Sequence, residues 1–577
     1  MRLSVIIFIL TILIMTCGQN ESKQKVIKTI CNPVNISYRF MPGEPSRREA
    51  ADPTVVNYKG TYYLFASMSG GYWYSTDLVD WIFVQTEEIP TEEYAPAVIA
   101  IKDTFYFLAS SATKSTIYKS SNPKSGHWKI ARETFAFPVW DPAFFQDDDG
   151  RLYLYWGCSN KNPIYGIELD YKNRFDIIGK PVPLIHANPA EHGWEVPGDY
   201  NTIYQNAPWI EGAWVNKHNG KYYLQYAGPG TEFKSYADAV YISEKPLGPY
   251  TLATHNPFSY KPEGFAAGAG HGSTFEDRYG NFWHIATVTI SRKHMFERRL
   301  ALYPTFFDTE DNLYTCTQFG DYPIIVPDKK IKSFSEIFPG WMLLSYKKPV
   351  SVSSCIDSLP PVQMTDENIR TYWAARSGGD KEWACMDLGA LYDVYAIQIN
   401  FAEHNTHIFG RQNNLYYRYI IEVSTDSVQW KKVIDKSGNK SDNSHDYTQL
   451  KNGVRCRYLK ISNLHVPGGN FALSGFRVFG KGSGERPPEV KLMQAARKPD
   501  DKRQVSLKWQ RSENTTGYMV RYGISQKKLY HNYIVYADTS LTINSLNVNQ
   551  DYFFTIDSFN ENGITENSLI IRSSGGK

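Results

Sequence analysis

The chain has 577 residues and a formal net charge of +3. It is too long for one hydrophobic core, so several domains are expected. Aromatic residues make up 15%, with 41 Tyr and 14 Trp, which favours β structure and surfaces that stack flat ligands such as sugar rings; the weak charge, with no long basic run, argues against nucleic acid as a partner.

The first element is an N-terminal leader, MRLSVIIFILTILIMTCGQN. One Arg precedes an apolar run from Val5 to Met15, and a cysteine follows at once. The run is too short for an ordinary membrane span and has the layout of a secretory signal. Its end, Ile14-Met15-Thr16-Cys17, resembles a bacterial lipobox. That likeness implies a signal peptide over 1–17, lipidation of Cys17, and a place in the bacterial cell envelope with membrane contact through the lipid anchor only. The alternative is a plain signal peptide cut near Gly18 or Asn20. Residues 18–34 are read as a polar tether.

Five aromatic segments then recur every 43 to 70 residues: GTYYLFAS (60–67), DTFYFLAS (103–110), GRLYLYWG (150–157), GKYYLQYA (220–227) and GNFWHIAT (280–287). Each starts at a turn-forming Gly or Asp, and each follows another strand-like stretch. A strand–turn–strand unit repeated at this pitch predicts a five-bladed β-propeller over 35–335. Eight or nine positions before each turn stand Asp52, Ala95, Asp141, Glu211 and His271. Equivalent positions of a radial repeat meet at one mouth of the channel. Three carboxylates and a histidine in one layer suit glycosidic cleavage, which needs one protonated acid and one ionised base. Glu211 lies in APWIEGAWV, in apolar company and near two Asp. It is expected to have a raised pKa and to be the acid. Asp147–Asp149 in QDDDG read as turn formers rather than a calcium loop.

Asp52 in EAADPTVV, Asp141 in VWDPAFF and Glu211 in IEGAW resemble glycoside hydrolase family 43. So do YSTDLVDW (74–81), YAPAV (94–98), SEKPLGPY (243–250) and GHGSTFED (270–277). The resemblance implies Asp52 as general base, Asp141 as pKa modulator and Glu211 as general acid, with inversion of configuration. It also implies that His271 holds an axial water, or a calcium or other cation, and that no other cofactor is required. Arg298, or its neighbour Arg299, would reach the sugar. Trp73, Trp140 and Trp209 are candidate sugar-stacking walls, with Trp140 favoured because it adjoins Asp141. The expected function is an exo-acting hydrolase of arabinose-, xylose- or galactose-containing plant glycans, best read as an α-L-arabinofuranosidase. A β-xylosidase, a galactan exo-hydrolase and a non-catalytic surface glycan-binding lipoprotein are the alternatives.

After residue 340 the pattern changes. Trp373, MDLG, YIIEVSTDSVQW (419–430) and the segment 457–480 resemble a discoidin-like (F5/8 type C) jelly-roll β-sandwich over 340–481. His404, His407 and Arg411 lie on one of its loops as candidate binding residues. Trp509, GYMVRYG (517–523) and Tyr552, in a tyrosine-corner position, resemble a fibronectin type III-like sandwich over 487–577. The whole chain is thus expected to be all-β. The six cysteines after Cys17 show no metal-ligand spacing. Cys158 and Cys316 are expected to be buried thiols, and a Cys355–Cys385 disulfide is left open.

Overall fold

The computed structural model describes residues 27–43, 45–91 and 93–575, so the leader and Cys17 lie outside the described residues. The strands Ala51–Tyr58, Thr61–Ser67, Gly71–Ser75 and Ile82–Gln85 form blade one. Blade two runs from Ala97 to Arg132, blade three from Ala143 to Ile185, blade four from Glu211 to Leu252 and blade five from Ala267 to Thr315. In each, the aromatic repeat is the second strand. The first strand of every blade packs against the first strand of the next, and the fifth returns to the first. Closing the ring in this way leaves only short protected sheet edges.

The second domain is a single path of pairing that folds over on itself. Its longest strands, Trp383–Phe401 and His445–His465, slip register at 387/392 and 394/396, and these bulges bend them so that each serves both layers. Trp373, Phe401, Leu473 and Phe476 lie in the core between. The third domain sets a three-stranded sheet (494–497, 505–508, 540–543) over a second sheet built on 517–523, 531–536 and 552–560. The Tyr552 hydroxyl accepts from the Asn547 amide at 3.2 Å. No helix among the described residues is long and apolar enough to cross a membrane.

Three expectations change. The stretch read as a tether is packed from residue 27 on. Thr29–Ile30 pair with Ile324–Ile325, and Asn32 bonds both the carbonyl and the amide of Leu302, so this segment edges blade five. Cys355 and Cys385 are free thiols, and Cys158 and Cys316 are only partly buried. Finally, the His404–Arg411 loop is tied to the propeller at its far end, while His407 stays exposed. Arg411 donates to the carbonyls of Phe40 and Met68 in the propeller, and Gly410 N to that of Met41.

The domains share buried charge. Arg48 of the propeller is fully buried and donates to Glu403 Oε1 at 2.7 Å and to both oxygens of Asp442 at 2.8 Å, all in the second domain. Arg477 returns the contact, donating to the Asp321 carbonyl at 2.7 Å. The insert at 186–199 docks on the third domain: Trp194 Nε1 donates to Asn547 Oδ1 at 3.0 Å and Gly193 N to the Leu546 carbonyl.

Candidate active site

Each inner strand is broken near its start by a left-handed residue. These are Asp52 (φ 52°), Ala95 (45°), Asp141 (49°), Gly212 (62°) and His271 (44°). In blades one, four and five this residue lies in a bulge, where the ladder slips at 51/54, 211/214 and 270/273. Holding a non-glycine residue left-handed costs about 1–3 kcal/mol. The cost is offset by a bond to each strained amide. Asp52 N donates to Thr287 Oγ1, Ala95 N to Ser67 Oγ, and Asp141 N to Ser110 Oγ. Ser67, Ser110 and Thr287 are the last residues of their aromatic repeats, so each blade braces the next. Repeats three and four end in Gly157 and Ala227, which have no hydroxyl. Asp238 takes over for blade five and accepts from both His271 N and Gly272 N at 2.8 Å.

The equivalence expected from sequence fails by one residue at Glu211. It pairs with Ala227, in register with Ala51 opposite Ser67, and Gly212 holds the left-handed place. Its side chain still enters the channel. A β-carbon on Gly212 would stand 2.6 Å from the His271 ring, so the glycine is the seat of that imidazole. Gly212→Ala is expected to lower kcat/KM about 10-fold or more by shifting the ring. Steady-state kinetics on the purified variant, with unchanged values, would show that the seat is loose.

His271 Nδ1 stands 3.3 Å from Asp52 Oδ1, 3.6 Å from Asp141 Oδ2 and 3.9 Å from Glu211 Oε1. All four groups are buried. Burial works against the charged imidazole, but Asp52, Asp141 and Glu211 outweigh it and push its pKa up to about 10. Asp52 is further fixed by Ser67 Oγ at 2.6 Å and by Arg298 Nη1 at 3.0 Å. Arg298 also donates to Glu49 and to Thr231 Oγ1.

The proton of the Asp141–Glu211 pair is not where the sequence placed it. Burial raises Asp141 to about 7, with His271 opposing and Glu211 and Asp52 adding to the rise. Burial also acts on Glu211, but bonds from His271, the Tyr236 hydroxyl and the Cys158 thiol lower it. Cys158 Sγ donates to Oε2 at 3.2 Å, and Tyr236 bonds Oε1. Glu211 therefore lacks the apolar surroundings its neighbours in sequence imply, because its partners come from blades three and four at a distance along the chain. Burial thus favours the protonated form at Asp141, and the bonds around Glu211 favour its ionised form.

Trp73 is a correction. It lies on the third strand of blade one and is 0% exposed, packed on Phe83 with Nε1 on Ser37 Oγ, so it forms no sugar wall. Trp140 and Trp209 are each 45% exposed. Arg299 turns away from the channel to His445 Nε2 of the second domain at 3.0 Å, which leaves Arg298 as the arginine of the site. Sequence reasoning missed Glu49, Cys158, Tyr236 and Asp238. The hydroxyl-terminated repeats were a usable signal for the braces; nothing local marked the other four.

Residues 46–311 match the model of glycosyl hydrolases family 43, and residues 349–475 match that of the F5/8 type C domain. Among characterised relatives, a putative beta-xylosidase of Escherichia coli (strain K12) is 31% identical over 157 residues, covering 26% of this chain and 26% of that protein. An arabinoxylan arabinofuranohydrolase of Paenibacillus polymyxa is 30% identical over 165 residues, covering 27% of this chain and 24% of the relative. The chain thus spans about a quarter of the length of these two relatives. A xylan beta-1,4-xylosidase structure from Bacillus halodurans has a TM-score of 0.41 at 15% identity and covers 78% of this chain and 98% of its own.

Proposed function

We propose, on the premise that residues 46–311 are a family-43 glycosyl hydrolase domain, that this protein hydrolyses plant-type glycans from chain ends with inversion, with α-L-arabinofuranosides as preferred substrates. The observation that carries this reading is the convergence of Asp52, Asp141 and Glu211 on one histidine nitrogen. In a single displacement, water attacks the anomeric carbon as the bond to the leaving oxygen breaks. Asp52, held by Ser67 and Arg298, takes the proton of that water. Glu211 draws the proton it shares with Asp141 and gives it to the leaving oxygen; after release, solvent reprotonates the pair and Asp52 loses its proton to solvent. The His271 imidazolium offsets the charge of the remaining carboxylates.

Chain-end action is supported by the second domain, which crowds the rim. Arg411 reaches blade one, Arg292 of blade five stacks on Tyr372 of the second domain at 4.4 Å, and Arg370 reaches the loops of blade four. A closed rim favours a pocket over an open groove. Trp140 and Trp209 offer aromatic faces to the sugar. The names of the relatives divide between xylosidase and arabinofuranohydrolase, which makes β-xylosides the second substrate class.

The test is sugar release from arabinose-, xylose- and galactose-containing oligosaccharides, with the first-formed anomer read by NMR. The expected result is one monosaccharide of inverted configuration. A retained anomer would overturn the mechanism, and no release from any substrate would overturn the activity.

A further inference from the structure

One loop, residues 229–236, follows the second strand of blade four and carries several contacts to the site. Thr231 Oγ1 accepts from Arg298, whose same nitrogen holds Asp52. Tyr236 bonds Glu211. Between these two lies Glu232. Among the described residues its carboxylate forms no ion pair or hydrogen bond with another residue, although it is half-buried. Burial raises its pKa; its own backbone amide opposes the rise, Glu211 adds to it and Arg298 opposes it. A half-buried carboxylate with only its own backbone amide as partner is costly unless something else donates to it.

The loop is held from outside by the F5/8 domain. Arg370 Nη2 donates to the Glu232 carbonyl at 3.3 Å, and Nη1 donates to Asp199 Oδ2 at 2.8 Å. Asp199 in turn accepts from Lys234 N at 2.9 Å, so both ends of 232–234 are pinned to one guanidinium. Thr289 Oγ1 of blade five also donates to the Glu232 carbonyl. The carboxylate feels both Glu211 and Arg298 of the site and Asp199, the partner of Arg370 at the seam between the two domains.

We infer that Glu232 is a specificity residue of the leaving-group subsite, accepting hydrogen bonds from the hydroxyls of the sugar beyond the cleaved bond, and that Arg370 of the F5/8 domain is its positioning residue. A carboxylate that no other residue binds matches vicinal hydroxyls, which are donors that an aryl leaving group lacks. The inference rests on the glycosidase reading above.

The experiment compares kcat/KM for a disaccharide and for a nitrophenyl glycoside of whichever sugar the wild type releases, in full-length Glu232→Gln, Glu232→Ala and Arg370→Ala. For both Glu232 variants the disaccharide-to-aryl ratio is expected to fall at least about 10-fold, the range for burying polar groups left unpaired. Arg370→Ala is expected to move the ratio in the same direction, chiefly through KM, with Arg370→Lys recovering part of it. Equal losses on both substrates, or no loss, would overturn the inference while leaving the glycosidase reading intact. A wild type inactive on every glycoside would overturn both. If only the Arg370 variants fail to move the ratio, the positioning role falls. Thermal unfolding of each variant separates misfolding from these outcomes.

Discussion

Glu211→Gln will lower kcat/KM on natural glycans by about 10²–10⁴-fold, the usual worth of a positioned proton donor. The amide keeps the shape of the side chain and still meets Tyr236 and Cys158, so the loss reads proton delivery rather than collapse. A dinitrophenyl glycoside, whose leaving group needs no proton, should lose far less. The wild-type pH profile supplies the sign. The proton held by the Asp141–Glu211 pair is present below about 7 and lost as pH rises through it. Activity should therefore fall on the alkaline side, and this limb should disappear in the variant. If Asp141→Asn, rather than Glu211→Gln, spares the activated substrate, the two carboxylates exchange roles, which their opposite pKa shifts make a direct alternative.

Arg48→Met will destabilise the protein by about 3–5 kcal/mol, the range for removing one partner from a buried ion pair. The substitution leaves Glu403 and Asp442 in a dry interface without their guanidinium. Glu403 is held down to about 2 against its burial by Arg48 first, then by Arg299 and the neighbouring cations. Removing the largest of these opposing charges forces Glu403 to take up a proton or to open the interface. Thermal unfolding should show a lower midpoint, and proteolysis should begin near residues 335–345, between the domains. A change below about 1 kcal/mol would place this contact among weak surface pairs instead.

The repeat and its carboxylates were legible in the sequence because a hairpin unit leaves its period, its turn residue and its register on a short stretch. The same information does not say which face of a blade a residue takes. Trp73 sits two residues into a third strand and is buried in the core between blades one and five, while Trp140, beside a left-handed residue, is exposed. Nor does it carry partners from other strands. The surroundings of Glu211 depend on Cys158, 53 positions away, and Tyr236, 25 positions away. Nothing in the insert at 186–199 marks its role, yet its tryptophan anchors the last domain. Contacts between domains depend on side chains hundreds of residues apart, such as Arg48 with Asp442, and no local pattern announces them.

The stretch that leads to Asp52 has little freedom of its own. Arg47 bonds the Phe296 carbonyl and Glu49, Arg48 enters the second domain, Glu49 holds Arg298, and Arg298 holds Asp52. Six consecutive residues therefore tie the attachment of one domain to the chemistry of another. A sandwich borrowed from a relative could not be grafted as a ready-made cassette unless it brought acids to the places of Glu403 and Asp442. A catalytic domain cut loose would leave a bare guanidinium four residues from its base. The two are held as a pair, and engineering that recombines such chains should place its crossover after the second domain rather than before it.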